Sequence, residues 1–519
     1  MSQLRAAILA ALFMFAQTPP SLAQDVTLQS LDGAIELSGT LLGFDGEFYR
    51  LDTRYGELTV DGSGVNCTGP GCPNLLNYVA DLTVSGSSTI GNVLMPALIE
   101  AFALREGYAA ERVMPDDSHF IYTLKERGTG ASVARFRFRV SNTDEGFADL
   151  LADEADIVMS LREVRPAETR LASEAGMGDL RAANRSRVLA LDALIPVVSP
   201  ANPVTRISLR DLSLVLAGKL TNWSQLGGPD APIGLHLLAA GNGLTQAIED
   251  KLMRPARLTF SGDVTRHDNN AALDRAVGAD PFGLGIASYS EIDSARALQL
   301  SGTCGFTLRG TRRNIKTEDY PLTLPMFLYL PARRLPRMGR DFLAFTRSPA
   351  AQIVIRRAGF VDQAPEEVPI DMQGDRLANA IAVAAGDAGL DGLKRMTETL
   401  APMQRLTTSF RFEPGSISLD AQSRSNVQQL ARSLEAGAFD ARRVLFVGFS
   451  DGQGPADGNL AIAHRRAESV RDAVLEAAEA ANLRQTDIGT DAFGEALPMA
   501  CDDSVWGRQV NRRVEVWVR

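Results

Sequence analysis

The sequence predicts a multidomain protein with a small all-β N-terminal module, a long mixed α/β region and a C-terminal α+β domain of order β-α-β-α-β. Three observations support this. The chain has 519 residues, which is too many for one hydrophobic core. Short β-rich runs separated by turn residues come first, and strand-like and helix-like segments then alternate. The chain closes on an alternating strand, Val514–Val518.

Residues 1–23 have the pattern of a secretory signal. Arg5 gives a positive start, Ala6–Ala16 is an uncharged apolar run, and Ser21-Leu22-Ala23 offers small residues for cleavage. The run is shorter than the about 20 residues that cross a bilayer. A buried N-terminal helix is the alternative. We therefore expect a secreted, periplasmic protein that starts at Gln24, which is not a lipid-accepting cysteine.

The charge balance limits the classes of partner. Lys and Arg total 53 against 63 Asp and Glu, a net charge of -10. Nucleic acids and anionic membranes attract basic surfaces, so neither is an expected partner. The four histidines are scattered, and no His/Cys cluster has metal-ligand spacing. No nucleophile elbow, P-loop or zincin helix is present either. We expect no enzyme activity, no cofactor and no metal.

Residues 24–77 form the predicted β-module, a small barrel or meander of four to five strands. Asp45-Gly46 separates two β-rich runs and indicates a hairpin. Cys67 and Cys72 flank a turn-rich loop, so we expect a disulfide there, with metal ligation as the weaker alternative. Cys304 and Cys501 either stay free or pair if their domains touch. The module is expected to serve packing or interaction.

Residues 78–362 open with a strand that runs into a Ser/Thr-rich turn, Leu82–Ile90, and then into a helix. This order places free backbone N–H groups and hydroxyls at a helix N-terminus, where anions bind. Ser and Thr also cap ordinary helices, so the turn alone does not identify a site.

Several segments of this region, in order, resemble the phosphate-binding (PstS-like) branch of periplasmic substrate-binding proteins. The resemblance implies two lobes of the type II binding-protein fold, joined by crossover strands around a ligand cleft. The segments are Ser85–Ile90, Arg127–Gly130, Ala155–Arg162, Leu189–Pro200, Leu212–Gly228, Phe282–Ile286, Tyr320–Leu322 and Ala358–Val361.

The resemblance also implies a set of ligand-binding residues, each with a purely structural role as the alternative. One departure weakens the site: the family's Ser-Gly-Thr-Arg loop is Ala240–Gln246 here and lacks the arginine. Fewer donors weaken phosphate binding or favour another ligand. The candidate residues are Ser87, Ser88, Thr89, Thr129, Asp156, Ser160, Arg162 and Thr245.

Residues 363–403 are predicted to be a partly helical linker that sets the distance between the central region and the C-terminal domain. The linker predicts independent motion of the two. Its first part, Ala364–Ile370, is extended and acidic, and a helical stretch follows from about Asp375 to Leu400.

Residues 404–519 carry three spaced motifs of the OmpA-like peptidoglycan-binding domain, which this region resembles. The helices are expected on one face of its sheet. Ser450 stands for a threonine, and Ile462-Ala463 stands for Leu-Ser. The motifs are Gly448-Phe-Ser-Asp451, Asn459–Ala467 and Gly507-Arg-Gln-Val-Asn-Arg-Arg-Val-Glu515.

The resemblance carries the two ligand-gripping positions of that family onto Asp451 and Arg466. The stem peptide of peptidoglycan contains diaminopimelate, which has an ammonium and a carboxylate. A carboxylate pairs with the first, and a guanidinium grips the second in a two-pronged fork. Asn459 is expected to shape the loop or to contact the peptide.

The sequence therefore supports the hypothesis of a non-catalytic periplasmic protein that is associated with the cell wall and outer membrane. Its C-terminal domain holds peptidoglycan, and its central region binds a small anion, phosphate first. An ABC importer or an envelope protein is a further expected partner. The first alternative is a scaffold protein whose lobes recognise another protein or a different ligand. The second is an enzyme that acts on phosphate esters or cell-wall material.

Overall fold

The structure is a computed structural model that describes residues 25–75, 78–182, 184–384, 386–413, 415–480 and 485–519. The predicted signal segment, residues 1–23, lies outside the described residues. Within these ranges no helix has both the length and the apolar character needed to cross a membrane. The predicted fold class is confirmed: an all-β module precedes a two-lobed α/β region and a C-terminal α+β domain.

The N-terminal module is an antiparallel sheet with the strand order β4-β3-β2-β1-β5. The Asp45-Gly46 turn joins β2 to β3, and Gly46 has a φ of 94°, which favours glycine. A disulfide joins Cys67 to Cys72. The strands are β1 Asp25–Ser30, β2 Glu36–Phe44, β3 Phe48–Thr53, β4 Gly56–Asp61 and β5 Val65–Thr68.

Two acidic residues at the β2–β3 turn attach this module to the central region. Asp45 lies 2.7 Å from Nε of Arg334 and 3.3 Å from Nη1 of Arg340. Glu47 accepts a hydrogen bond of 2.8 Å from Arg334. Because Asp45 is buried, these bonds are shielded from water and hold the module against the first lobe.

One long sheet runs through both lobes in the order β14-β13-β15-β11-β19-β10-β6-β9-β8-β7, and β16 also pairs with β11. A small sheet of order β12-β17-β18 lies apart from it. The strands are β6 Ala80–Ser87, β7 Tyr108–Val113, β8 His119–Glu126, β9 Ser132–Ser141, β10 Ile157–Ser160, β11 Ser186–Val198, β12 Arg206–Ser208, β13 Gly234–Leu238, β14 Thr265–His267, β15 Gly283–Ser288, β16 Arg296–Ala297, β17 Gln299–Ser301, β18 Thr307–Leu308 and β19 Thr323–Tyr329.

Strand β11 passes from one lobe to the other. It has 13 residues and pairs with β19 over its first part and with β15 over its last. Its side chains from Leu189 to Val198 are buried without alternation, because helices and loops cover both faces. This strand forms the hinge region between the lobes, where the resemblance placed a crossover strand.

Helices cover the sheet on both lobes. A π-helical turn, Ile90–Leu94, leads into α1, whose Phe102 packs against Phe342 and Phe345 at centroid distances of 5.6 and 5.7 Å. The helices are α1 Met95–Glu106, α2 Thr143–Leu151, α3 Pro166–Glu174, α4 Leu209–Leu216, α5 Gly243–Ile248, α6 Arg254–Ala256, α7 Asn270–Ala279, α8 Arg312–Lys316, α9 Arg337–Phe345 and α10 Pro349–Arg357.

The C-terminal sheet has the order β20-β21-β24-β22-β23. Strand β23 is an addition to the predicted order. It contains glycines and aspartates, which have low β-propensity, and parallel pairing with β22 stabilises it. The elements are β20 Glu367–Val368, α11 Gly374–Val383, α12 Gly386–Leu400, β21 Gln404–Arg411, α13 Ala421–Glu435, β22 Arg443–Phe449, α14 Ala456–Ala477, β23 Asp487–Gly494, α15 Val505–Asn511 and β24 Arg513–Val518.

Helices lie on both faces of this sheet, which corrects the expectation of one covered face and of a spacer-like linker. On β22, Val444 and Phe446 pack with α13 and α14, whereas Leu445 and Val447 pack with α11 and α12. The predicted linker helices carry an apolar stripe that includes Ala380, Leu393, Met396 and Leu400. Burial of this stripe removes apolar area from water, so these helices belong to the C-terminal core.

The C-terminal domain also packs against the central region, which corrects the expectation of independent motion. Asp319 lies 2.7 Å from Arg405 and 3.2 Å from Arg411, and all three side chains are buried. The Ser409 hydroxyl donates to the carbonyl of Thr317 over 2.6 Å. Buried ion pairs need fixed geometry, so the two regions share a defined interface.

Candidate functional site

The predicted anion loop begins where β6 ends. Gly86 has a φ of 128°, and a Cβ there would lie 2.2 Å from the carbonyl oxygen of Met159, so only glycine fits. The Ser87 side chain is buried, and its Oγ has no hydrogen-bond partner among the described residues. Thr89 begins the helical turn without a side-chain capping bond. The loop therefore offers hydroxyls at a helix N-terminus.

The second lobe lies directly against this loop. A Cβ on Gly243 would lie 2.8 Å from Oγ of Ser87, and Nδ2 of Asn242 is 3.5 Å from Oγ of Ser88. Asn142, at the start of α2, donates to the carbonyl of Gly241 over 3.2 Å. The loop Ala240–Gln246, whose sequence differs from the family pattern, thus closes over the anion loop.

Arg162 forms ion pairs with carboxylates of the protein itself. It bonds Asp144 and both carboxylate oxygens of Glu168, the latter at 2.6 and 2.9 Å, and its Nε lies 3.6 Å from Asp250. Burial alone would lower the pKa of Arg162, but the bonds to Glu168 and Asp144 outweigh burial and raise it. The guanidinium is therefore neutralised within the protein, and the prediction that it grips the anion is not met in this structure.

The same ion cluster joins the two lobes. Arg165 of the first lobe donates to both carboxylate oxygens of Asp250 in the second lobe, at 3.1 and 3.2 Å. Arg165 also bonds Asp144 at 3.0 Å. Sequence reasoning missed Asp144, Glu168 and Asp250. Glu168 is near Arg162 in sequence, but Asp144 and Asp250 are 18 and 85 residues from their arginine partners and meet them only in the fold.

Ser160 and Thr245 lie near the cleft, but their hydroxyls have internal acceptors. Ser160 donates to the carbonyl of Arg162 over 2.6 Å, and Thr245 donates to the carbonyl of Leu238 over 3.1 Å. Both side chains are buried. In this structure they stabilise the turn after β10 and the start of α5.

Thr129 and Asp156 do not reach the cleft, which corrects both predictions. Thr129 lies in the β8–β9 turn and donates to Glu126 over 2.8 Å. Since β6 and β9 are parallel and Ser87 pairs with Ser141, the cleft lies at the other end of β9. Asp156 precedes β10, where it accepts from the Thr83 amide and from Arg333, each over 2.8 Å.

The C-terminal site is built where β22 ends beside α14. A Cβ on Gly448 would lie 2.0 Å from the carbonyl oxygen of Ala463, so glycine lets the helix approach the strand. Asp451 follows the strand, and its carboxylate accepts a bond of 2.5 Å from Nη1 of Arg512. Asn459 donates to Glu495 over 3.1 Å. Asp451 and Asn459 are each less than one tenth exposed.

Arg466 of α14 is held in the same region. Its Nη2 donates to the carbonyl of Ser416 over 3.3 Å, and its guanidinium lies over the Phe412 ring at 4.9 Å. Its Nε is buried and lacks a partner among the described residues. Burial, and then the charge of Arg512, lower the pKa of Arg466, whereas Asp451 acts in the opposite direction. The site therefore presents both signs of charge with unused donor capacity.

Arg512 and Arg513 are neighbours in the third motif, but their contacts differ in the structure. Arg512 forms an ion pair with Asp451 in the candidate site. Arg513 is fully buried and bonds Glu515 at 2.7 Å over the ring of Phe449. Glu495 was not singled out, because its contact with Asn459 depends on β23, which the sequence did not indicate.

Comparison with known proteins identifies two families. The profile of the PBP superfamily domain matches residues 77–350, more than half of the chain. The OmpA family profile matches residues 411–512.

Individual relatives agree with the first of these matches. Protein SphX of Synechococcus elongatus is 24% identical over 234 residues, covering 43% of this chain and 67% of its own. The phosphate-binding protein PstS of Borreliella burgdorferi is 25% identical over 187 residues, covering 34% and 65%. This chain thus spans about two thirds of the length of these relatives. A solved ABC-type phosphate transport receptor from Vibrio cholerae covers 54% of this chain and 99% of its own, at 22% identity and a TM-score of 0.42.

Proposed function

The chain belongs to the PBP superfamily, and we propose that it is an exported, non-catalytic envelope protein that holds peptidoglycan through its C-terminal domain and binds a small anion between its lobes. The OmpA family match and the opposite charges of the two buried side chains Asp451 and Arg466 support the first part. The superfamily match and the anion loop at Ser87 support the second. The observation that carries the proposal is the joint presence of both sites in one chain.

The wall-binding site fits a ligand with two charges. The ammonium of diaminopimelate would pair with Asp451, and its carboxylate would bind the unused donors of Arg466. Arg512 now neutralises Asp451, so the ammonium has to displace it or share the carboxylate. A ligand with only one sign of charge would leave half of the site unsatisfied.

Co-sedimentation with isolated sacculi tests this assignment. We expect the wild-type protein to pellet, and Asp451→Asn and Arg466→Met each to weaken binding at least about tenfold, since a charged hydrogen bond is worth roughly 1.5–3 kcal/mol. Arg465→Met is the matched control, because Arg465 is exposed and adjacent on the same helix. Failure of the wild-type protein to pellet would refute the wall-binding role, and equal pelleting of the wild type and both site variants would refute the assignment of the site to Asp451 and Arg466.

Phosphate is the first ligand to test at the cleft. Ser87 provides a buried hydroxyl without a partner, and the neighbouring amides start the helical segment that continues as α1. In calorimetric titration with inorganic phosphate we expect saturable heat that is lost in a Ser87→Ala, Thr89→Ala double variant. Thr129→Val is the control, because Thr129 lies at the far end of the sheet. Loss of heat in the control alone would contradict the placement.

A scaffold role is the second candidate, and one observation favours it. The lobes are joined by their own bonds, from Arg165 to Asp250 and from Asn142 to Gly241. Lobes closed in this way need no ligand between them. Absence of heat with phosphate, in a protein that still pellets with sacculi, would support the scaffold role, with an envelope protein or an ABC importer as partner.

A further inference from the structure

A chamber of about 560 Å³ lies where both lobes meet the C-terminal domain. The first lobe contributes Arg162, the second contributes Lys251, and strand β19, which pairs with β11, contributes Phe327. Arg411 and Trp506 of the C-terminal domain complete the wall. The chamber is distinct from the anion loop and from the Asp451 site, none of whose residues line it.

Hydrogen-bond donors and acceptors in this chamber lack partners. Nη1 of Arg411 and Oε1 of Gln422 are buried and without a hydrogen bond among the described residues, and both side chains are more than nine-tenths buried. The Lys251 ammonium has no ion pair within 4 Å in the described part of the chain. Within the described residues the Glu318 carboxylate accepts one side-chain hydrogen bond, a long one of 3.4 Å from Nδ2 of Asn426. Buried polar atoms left unpaired destabilise a fold unless a ligand or water satisfies them.

Burial shifts the pKa values of Glu318 and Lys251 in opposite directions. Burial raises the pKa of Glu318 to about 8, and the nearby carboxylate of Asp420 adds to this. Burial lowers the pKa of Lys251, against the influence of Glu318 and Asp420. Because Lys251 and Glu318 are not in direct contact, a molecule between them could satisfy both.

We propose that this chamber binds a small zwitterion of the amino-acid or short-peptide class. Its carboxylate would accept bonds from Lys251 and Arg411, and its ammonium would donate to Glu318 and Gln422. Phe327 and Trp506 form an apolar wall for its carbon atoms. A phosphate ion would offer no ammonium to the unpaired Oε1 of Gln422 and would face repulsion from the Asp420 carboxylate.

Trp506 supplies the reporter for a test with the dipeptide alanyl-alanine. The other two tryptophans, Trp223 and Trp517, are fully buried elsewhere. Titration of the full-length protein should change the Trp506 fluorescence saturably. N-acetylalanine and alanine amide, which carry one charge each, should bind at least tenfold more weakly. In Trp506→Phe the fluorescence change should disappear.

Two variants locate the site. Glu318→Gln and Lys251→Met should each weaken alanyl-alanine binding at least tenfold. Glu291→Gln is the matched control, because Glu291 is also a carboxyl whose pKa burial raises, but it lies by Asn270 in the second lobe. Asp451→Asn should leave dipeptide binding unchanged, which separates this site from the wall-binding site.

The proposal makes a clear negative prediction as well. Absence of saturable binding by alanyl-alanine to the folded wild-type protein would overturn it. Equal binding of the dipeptide and its two single-charge analogues would also overturn it, and neither result depends on whether a variant folds. Full affinity in both Glu318→Gln and Lys251→Met would place the dipeptide elsewhere and likewise refute the assignment.

Discussion

Cys304 of the second lobe and Cys501 of the C-terminal domain form a disulfide, with Cα atoms 5.6 Å apart although 197 residues separate them in sequence. The bond ties the C-terminal domain to the second lobe. Arg181 of the first lobe bonds Glu413 of the same domain at 3.0 Å. The C-terminal domain therefore contacts both lobes, and any change in the angle between the lobes must change one of these contacts.

Removal of this disulfide should destabilise the whole chain. In the chain-entropy account a loop of this length contributes about 5 kcal/mol, and a five-residue loop about 2 kcal/mol. We expect the Cys304→Ser, Cys501→Ser variant to lose more stability than Cys67→Ser, Cys72→Ser, as measured by denaturant unfolding. Limited proteolysis should release the C-terminal domain from the first variant only. Equal losses would show that the domain interface holds without the bond.

The contact between Gly243 and Ser87 predicts a position-specific effect of a single methyl group. A Cβ on Gly243 would lie 2.8 Å from Oγ of Ser87, whereas a Cβ on Gly241 would meet nothing within 4 Å. Gly243→Ala should cost about 1–3 kcal/mol or push the lobes apart. Gly241→Ala should leave the melting temperature unchanged. Small-angle scattering distinguishes opening from simple destabilisation, and identical behaviour of the two variants would mean that the lobes do not touch here.

Asp250 should control closure of the lobes. Asp250→Asn removes the negative charge and one of the two acceptor oxygens that Arg165 reaches across the cleft at 3.1 and 3.2 Å. We expect a larger radius of gyration and a loss of about 1–3 kcal/mol, since the pair is largely shielded from solvent. Glu249→Gln is the control, because this neighbour is exposed and pairs only with Arg254 at 3.5 Å in the described structure. An unchanged scattering profile for Asp250→Asn would rule out the ion pair as the latch.

The buried carboxylate of Glu515 should contribute strongly to the stability of the fold. It lies 2.7 Å from Arg513 and 3.3 Å from Arg405, and it also bonds Arg376. Glu515→Gln leaves the buried guanidinium groups of Arg376 and Arg513 without their counter-charge, which costs about 3–5 kcal/mol, whereas Arg405 keeps Asp319. Glu367→Gln removes an exposed pair with Arg442 and should cost less than about 1 kcal/mol. Denaturant midpoints test this ranking.

The same carboxylate predicts acid sensitivity. Burial would raise the pKa of Glu515, but the charges of Arg376, Arg405 and Arg513 outweigh burial and hold it at about 2, below its ordinary value of 4.5. A depressed carboxyl pKa stabilises the fold above the ordinary value, and this stabilisation is lost as the pH falls from 4.5 towards 2. The melting temperature should therefore drop steeply in that window. In Glu515→Gln the drop should be shallower, and parallel curves would contradict the assignment.

Motifs with local meaning could be predicted from the sequence. The Asp45-Gly46 hairpin, the alternation of strands and helices in the lobes, and the strand end at Asp451 followed by the helix with Arg466 all depend on near neighbours in the chain. Hydrophobic period and turn residues encode such features directly. Strand β23 escaped prediction because its glycines and aspartates carry no strand pattern, and only pairing with β22 makes it a strand.

The sequence predicted the motifs better than it predicted which of their residues lie at the cleft. Thr129 and Asp156 belong to segments with a family-like sequence, yet strand direction places both away from the cleft. Arg162 is at the cleft but is neutralised by Asp144 and Glu168, whose positions depend on how α2 and α3 pack. A residue type in a motif does not reveal which neighbours already satisfy its charge.

The sequence by itself determined the domain families and many local elements, because motifs, hydrophobic period and turn residues are short-range patterns, and it predicted Asp451 and Arg466 as the oppositely charged residues of the C-terminal site. Only the tertiary structure decided that Cys304 meets Cys501, that Asp250 reaches Arg165, and that the predicted linker helices complete the C-terminal core. These contacts join residues far apart in the chain. Their formation depends on the packing of whole domains, a property of three-dimensional geometry that no local pattern specifies.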